Sequence, residues 1–141
     1  MMLVDASAIV AVLNREPDAE AFETAIGEHD GHLYVSPLTI YEAALGLARA
    51  RCGGGRRPKR SDIEFAHAAV RFFVEDNRIQ AVSVTPEIAA RAIEAASRYG
   101  KAVGHPADLN FGDCFAYACA KALGAPLLYK GDDFSKTDLA R

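Results

Sequence analysis

Five carboxylate residues stand at positions where their chemistry could be shared. Asp5 ends a short apolar run near the start of the chain, and Asp113 follows Asn110 in the first turn of a predicted helix. Asp132 and Asp133 come directly after the last predicted strand. Acids that follow the strands of a parallel sheet collect at the edge where ligands bind. Carboxylates brought together there could bind Mg²⁺, a hard cation that prefers oxygen ligands and activates water against phosphate esters.

Glu42, the fifth acid, lies on the apolar side of its predicted helix. Leu38 and Leu45 are four residues before it and three residues after it, so all three share one helix face. Burial of an ionised carboxylate without a partner costs several kcal/mol. Glu42 therefore needs a cation, a hydrogen-bond network or a route to water.

Each acid also has a purely structural interpretation. Asp5 could cap a helix, Asp113 could stabilise a helix dipole by about 0.3–1 kcal/mol, and Gly131-Asp-Asp could form a turn. Glu42 could reach water from the edge of its apolar stripe. Coincidence explains one such position more easily than acids from separate elements that meet at one edge.

Strands and helices alternate along the chain without hairpin turns. Ser36 and Thr85, each followed by proline, predict helix starts, and Ser61 to Glu64 has the pattern of a capping box. We predict strands at 2–5, 32–35, 79–84 and 127–129, and helices at 7–13, 17–26, 37–51, 61–75, 86–99 and 112–123. This order favours an α/β fold with a mostly parallel central sheet covered by helices on both faces. The length of 141 residues and the 50% hydrophobic content predict a single domain over residues 1–141.

Composition excludes several classes of protein. No apolar stretch approaches the roughly 20 residues that a membrane span needs, and no signal peptide precedes Asp5. The three cysteines form no Cys-x-x-Cys pair, which favours a reduced, cytoplasmic chain. The phosphate-binding pattern Gly-x4-Gly-Lys-Ser/Thr is absent, which disfavours nucleotide hydrolysis. The net charge of −3 does not indicate a substrate.

Basic residues surround the one glycine-rich break in the chain. We hypothesise that they contact RNA phosphates or an acidic partner segment, although a solvated loop explains them equally well. The cluster comprises Arg49, Arg51, Arg56, Arg57, Lys59 and Arg60. In the next predicted helix, Phe65, Phe72 and Phe73 are interpreted as core residues rather than as a base-stacking surface.

Four motifs resemble those of PIN-domain ribonucleases, and of the VapC toxins of VapBC toxin–antitoxin pairs in particular. The resemblance covers essentially the whole chain and implies a three-layer α/β/α PIN-like domain. The motifs are Asp5-Ala-Ser7-Ala8, Tyr41-Glu42, Asn110-Phe-Gly-Asp113-Cys-Phe-Ala-Tyr117 and Leu128-Tyr-Lys-Gly-Asp132-Asp133-Phe134.

The resemblance assigns roles to the acids. It implies that Asp5, Glu42 and Asp113 bind the metal, Mg²⁺ or alternatively Mn²⁺. The fourth acid corresponds to the pair Asp132 and Asp133, of which Asp132 is preferred as the ligand. Ser7 matches a hydroxyl residue that supports the first acid.

The resemblance also implies a biological role. We expect a magnesium-dependent endoribonuclease that is the toxin of a type II system, inhibits translation and growth, and is neutralised by a VapB-type antitoxin. A homodimer is expected as well. The alternative is a catalytically silent PIN-like module that binds RNA or protein. A phosphatase of the haloacid-dehalogenase type is disfavoured, because it requires a second acid where this chain has Ser7.

Overall fold

The computed structural model describes residues 1–139, and the last two residues of the predicted domain, 140 and 141, lie outside the described residues. Short strands alternate with longer helices. Two 3₁₀ turns, Lys101–Val103 and Asp133–Lys136, flank the last helix and strand. The strands and α-helices are β1 (Met2–Val4), α1 (Ala6–Leu13), α2 (Ala19–Gly27), β2 (Leu33–Val35), α3 (Pro37–Cys52), α4 (Arg60–Asp76), β3 (Gln80–Ala81), α5 (Pro86–Tyr99), α6 (Phe111–Leu123) and β4 (Leu127–Leu128).

The four strands form one parallel sheet in the order β3-β2-β1-β4. β1 pairs with β2 through Met2 and Leu33 and with β4 through Leu3 and Leu127. β1 is thus a central strand, and the first and last strands of the chain are neighbours. The predicted α/β/α architecture with a parallel sheet is confirmed.

Alternation along β1 separates two apolar cores. Met2 and Val4 pack in a core with residues of α1, α2, α3 and α4, whereas Leu3 packs in a second core with α5 and α6. Successive strand residues point to opposite faces, so a single short strand contributes to both layers. This burial on both faces fixes the end of β1, where Asp5 follows.

Two helix starts form as their sequences predict. The Ser36 hydroxyl accepts a hydrogen bond from the Thr39 N–H at 3.1 Å, and the Thr85 hydroxyl accepts one from the Ile88 N–H at 3.2 Å. Each cap satisfies a backbone donor that the first turn leaves without a helical partner. The cap at Ser36 sets the start of α3, the helix that carries Glu42.

The helix α4 begins one residue before its predicted start, and the predicted capping box at Ser61–Glu64 is wrong. The helix begins at Arg60, and the Asp62 carboxylate accepts the Lys59 N–H at 2.8 Å, so Ser61 lies inside the helix. The third strand is also shorter than the predicted 79–84, because only Gln80–Ala81 pairs with β2.

Two of the three phenylalanines predicted as core in α4 are exposed instead. Phe73 is buried, whereas Phe65 and Phe72 are 53% and 59% exposed. The Arg51 guanidinium lies over the Phe65 ring, 4.3 Å from its centroid. Phe65 and Phe72 are seven residues apart and therefore share an outward helix face.

Of the helices within residues 1–139, none combines the length and apolarity that a membrane span needs.

Candidate active site

Asp5 caps the helix that follows the central strand. Its carboxylate oxygen Oδ2 accepts the Ser7 N–H at 3.1 Å and the Ser7 hydroxyl at 2.5 Å. Its backbone N–H donates to the Leu128 carbonyl at 2.9 Å, which ties it to the end of β4. Burial raises the pKa of Asp5, and the Ser7 hydrogen bonds oppose this rise. Asp5 is therefore a buried acid with a fixed orientation at the carboxyl end of the sheet.

Asp113 is held at the start of α6 by a reciprocal cap. Its N–H donates to the Asn110 side-chain oxygen at 2.9 Å, and its carboxylate accepts the Asn110 N–H at 3.1 Å. Burial raises the pKa of Asp113 to about 6, and the charges of Asp5, Asp133 and Asp108 also raise it. The first turn of α6 therefore places Asp113 among other acids.

Glu42 faces the other two acids from α3. Burial raises its pKa to about 7, and the next causes are the charges of Asp5 and Asp113. None of the salt bridges found within residues 1–139 involves Glu42. Glu42, Asp5 and Asp113 thus form a group of carboxylates that repel one another, and no side-chain cation of residues 1–139 forms a salt bridge with them.

Gly112 allows Glu42 to approach the start of α6. A Cβ atom on Gly112 would overlap with both carboxylate oxygens of Glu42. The Glu42 carboxylate therefore rests on the backbone immediately before Asp113. Only glycine leaves room for this contact.

Replacement of Gly112 with alanine is expected to impair the site without unfolding the chain. The new methyl group must displace the flexible end of Glu42, whereas alanine is favoured over glycine in a helix by about 1 kcal/mol. We expect RNA cleavage to fall about tenfold with no loss of thermal stability. Gly27→Ala is the matched control, because no atom lies within 4 Å of a Cβ at that helical glycine. Full cleavage by Gly112→Ala would contradict this arrangement.

Asp133 acts electrostatically on the acids at this edge. Its charge raises the pKa of both Asp5 and Asp113. Asp132 precedes the 3₁₀ turn Asp133–Lys136 as its N-cap. The sequence-based preference for Asp132 as the fourth acid stays a prediction, and the charge of Asp133 makes Asp133 the other candidate.

The donor set suits a hard divalent cation that keeps bound water. Asp5, Glu42, Asp113 and Asp133 offer only carboxylate oxygens, and their mutual repulsion is what a cation would relieve. Within residues 1–139, no three His, Cys, Asp or Glu side chains are arranged to hold a metal ion as they stand. Direct ligation of one ion by Asp5, Glu42 and Asp113 together stays a prediction.

The basic cluster lies at the far end of α3 and in the loop to α4. Arg49 is seven residues after Glu42, two helical turns and about 10 Å further along the same side of α3. Arg60 forms an exposed ion pair with Glu64 at 2.8 Å. Arg56, Arg57 and Lys59 are exposed. The structure therefore leaves this cluster beside the acidic site rather than within it.

Sequence reasoning missed two contributors to the site. Asp108 raises the pKa of Asp113, yet it lies in an irregular loop with a positive φ of 52° and belongs to no periodic pattern. Gly112 stood within a recognised motif, and its glycine could have indicated a close approach of another group. Which group approaches it follows only from the fold.

A parallel sheet with acids at its carboxyl edge is consistent with the family that comparison with known proteins identifies. The chain belongs to the PIN domain family, whose model matches residues 2–139. It is 47% identical to a VapC ribonuclease of Rhizobium meliloti (strain 1021), with 99% of each chain covered. It is 45% identical to Ribonuclease VapC30 of Mycobacterium tuberculosis, over 99% of this chain and 96% of the relative. The family expected from the sequence motifs is confirmed.

Solved structures of more distant relatives share the fold. The crystal structure of Mycobacterium tuberculosis VapC20, a toxin that cleaves the sarcin–ricin loop, matches with a TM-score of 0.70 at 17% identity. That match covers 96% of this chain and 93% of the VapC20 chain. A toxin–antitoxin complex from Klebsiella pneumoniae matches with a TM-score of 0.65 at 15% identity, over 96% and 91% of the two chains. At these identities the likeness concerns the fold alone.

Proposed function

We propose that this chain is a magnesium-dependent endoribonuclease and the toxin of a VapBC-type toxin–antitoxin pair. The observation that carries the proposal is the proximity of Asp5, Glu42 and Asp113 at the edge of the sheet where ligands bind, with no salt bridge to them from any described residue. Relatives named VapC ribonucleases, similar over nearly their whole length, support it. RNA hydrolysis explains why a fold would retain so unfavourable a group of acids.

The residues of the chain divide the work of such a site. Asp5, Glu42 and Asp113 would hold the divalent cation, and Asp133 would complete the set or orient a water molecule. A bound Mg²⁺ or Mn²⁺ supplies charge neutralisation at the phosphate and a more acidic water. Ser7 and Asn110 keep Asp5 and Asp113 in place through the hydrogen bonds at the two helix starts. Two of the acids are thus held in place before the cation binds.

The proposal extends to partners. The match to a toxin–antitoxin complex supports pairing with a VapB-type antitoxin that neutralises the toxin and relieves its effect on translation and growth. We propose that the chain acts as a homodimer in the cytoplasm. Co-purification with the product of a neighbouring antitoxin gene tests the pairing, and light scattering tests the dimer. A monomeric protein that does not bind the antitoxin gene product would refute both the dimer and the pairing.

The basic cluster is proposed to contact RNA phosphates or the antitoxin. Arg56 and Arg57 are exposed on the loop beyond α3 and are free to meet a phosphate chain. Charge reversal of both residues is expected to weaken RNA cleavage or antitoxin binding at low salt. Unchanged cleavage and unchanged antitoxin affinity would reject this role.

The proposed activity is tested directly by cleavage of RNA in the presence and absence of metal. We expect purified protein to cut single-stranded RNA with Mg²⁺ and to lose this activity in EDTA, because the acids alone cannot neutralise phosphate charge. Mg²⁺ added in excess of EDTA should restore cleavage. Binding of RNA without any metal-dependent cleavage would favour the silent binding module instead.

A further inference from the structure

Lys130 makes two kinds of contact at the edge of the site. Its backbone N–H donates to the Ser7 hydroxyl at 2.9 Å, and that hydroxyl donates to the Asp5 carboxylate. Its side-chain ammonium bonds Glu16 at 2.6 Å and Asp18 at 3.2 Å. One residue therefore links the first acid to the connection between α1 and α2.

Glu16, the nearer of the two acids that hold Lys130, is itself fixed. Glu16 also accepts a hydrogen bond from the Asn14 side chain at 3.2 Å, and its N–H donates to the Ala11 carbonyl at 2.9 Å. The hydrogen bond from Lys130 lowers the pKa of Glu16, so Glu16 stays ionised at neutral pH. Two carboxylates on a constrained turn occupy the ammonium, which is therefore poorly placed to bind RNA.

The segment after Lys130 carries the fourth acid. Gly131 adopts a φ of +92°, in the left-handed region that favours glycine. Beyond it, Phe134 is buried and packs edge-on against Tyr129, with ring centroids 4.9 Å apart. Asp133 is thus carried on a short turn whose entry is anchored at Lys130 and whose exit is anchored at Phe134.

We propose that Lys130, held by Glu16 and Asp18, is a positioning residue that locks the Asp133 turn and the Ser7 hydroxyl against Asp5. The inference rests on the proposed nuclease function and adds a role for three residues outside the acid group. Exposed ion pairs in general contribute little to stability. The ion pairs of Lys130 have a different effect, because the backbone N–H of the same lysine donates to the Ser7 hydroxyl that bonds Asp5.

Removal of the ion pair should lower catalysis without weakening substrate binding. For Lys130→Met, and for the double variant Glu16→Gln/Asp18→Asn, we expect kcat for RNA cleavage to fall about tenfold with KM unchanged. Lys130→Arg should retain most of the activity. Lys121→Met is the matched control, because Lys121 pairs with Asp138 at 2.8 Å, with 34% of its side chain exposed against 40% for Lys130.

Combined variants distinguish a positioning role of Lys130 from a direct contact between Lys130 and RNA. If the three residues act as one unit, the triple variant Glu16→Gln/Asp18→Asn/Lys130→Met should be no slower than Lys130→Met alone. If Lys130 instead binds RNA, Lys130→Met raises KM and the acid variants do not, which would overturn the proposal. Activity equal to that of the parent in all variants would also overturn it.

A second readout needs neither metal nor RNA. We expect the amide hydrogen at position 130, which bonds Ser7, to exchange with solvent faster in Glu16→Gln/Asp18→Asn than in the parent or in Lys121→Met, measured by NMR on metal-free protein. An unchanged rate of amide exchange in Glu16→Gln/Asp18→Asn would refute the positioning role. If the parent cleaves no RNA, the proposed function fails, and the amide exchange rate still tests whether Glu16 and Asp18 hold Lys130 in place.

Discussion

Replacement of Asp5 with asparagine is expected to abolish RNA cleavage in a chain that still folds. Asparagine caps helices as well as aspartate does, so the hydrogen bond from the Ser7 N–H is retained while the charge is lost. Loss of groups that merely support metal ligands costs about 10–100-fold, so loss of a ligand should exceed about 100-fold. Cleavage of a labelled RNA by purified protein with Mg²⁺ measures the effect.

A charge removed outside the site controls for the loss of charge alone. Asp30→Asn, at an exposed position before β2, should cleave like the parent. Circular dichroism and thermal unfolding of Asp5→Asn should match those of the parent. If Asp5→Asn cut RNA at the parent rate, Asp5 could not be a metal ligand, and the proposed mechanism would fail.

Replacement of Glu42 with glutamine is expected to stabilise the metal-free chain at high pH. The folded chain raises the pKa of Glu42 from 4.5 to about 7, so between these values the native state binds more protons than the unfolded state. The free energy of unfolding therefore falls as the pH rises through this window. At pH 8 the variant should be more stable than the parent by about 1–2 kcal/mol, since a half-exposed carboxylate keeps part of its hydration.

Mg²⁺ should make the parent more stable than Glu42→Gln at pH 8, the reverse of the order without metal. With Mg²⁺ at pH 8, the parent gains binding free energy that Glu42→Gln cannot match. Denaturant unfolding at pH 5 and pH 8, with and without Mg²⁺, measures both effects. Glu94→Gln, an exposed change on α5, should follow the parent in all four conditions. A parent whose stability relative to Glu42→Gln did not fall between pH 5 and pH 8 would show that folding does not raise the pKa of Glu42.

Helix starts and the order of elements were readable from the sequence because local chemistry determines them. Ser36 and Thr85 cap α3 and α5 through their own side chains, and alternation of strands with helices leaves few topologies other than a parallel sheet. The start of α4 was less readable, since Ser61 and Asp62 both offer caps. In the structure, the Lys59 N–H donates to the Asp62 carboxylate.

Outward and inward faces were harder to predict where a helix carries many apolar residues. Phe65 and Phe72 follow a core-like pattern, yet they face outward because Ala66, Val70 and Phe73 already occupy the buried face, and α4 packs against α3 and α1. Apolar spacing alone does not say which of two competing stripes a neighbouring element covers.

The sequence motifs identified the acids of the site, whereas the contacts among the site residues followed only from the fold. The sequence singled out Glu42 from its apolar face, but its contact with Gly112 joins residues seventy positions apart. Asp132 and Asp133 could not be distinguished from the sequence, because adjacent acids in a loop give no periodic signal. Long-range contacts of this kind are set by packing and not by local pattern.

The pairing of β1 with β4 makes the proposed site dependent on two distant parts of the chain. The Leu128 carbonyl that holds Asp5 and the Lys130 N–H that holds Ser7 each belong to a residue 123 positions later in the sequence. A nascent chain in which β4 has not yet been synthesised therefore lacks the hydrogen bonds that fix Asp5. The proposed nuclease site can form only after residues 127–130 have been made and have paired with β1.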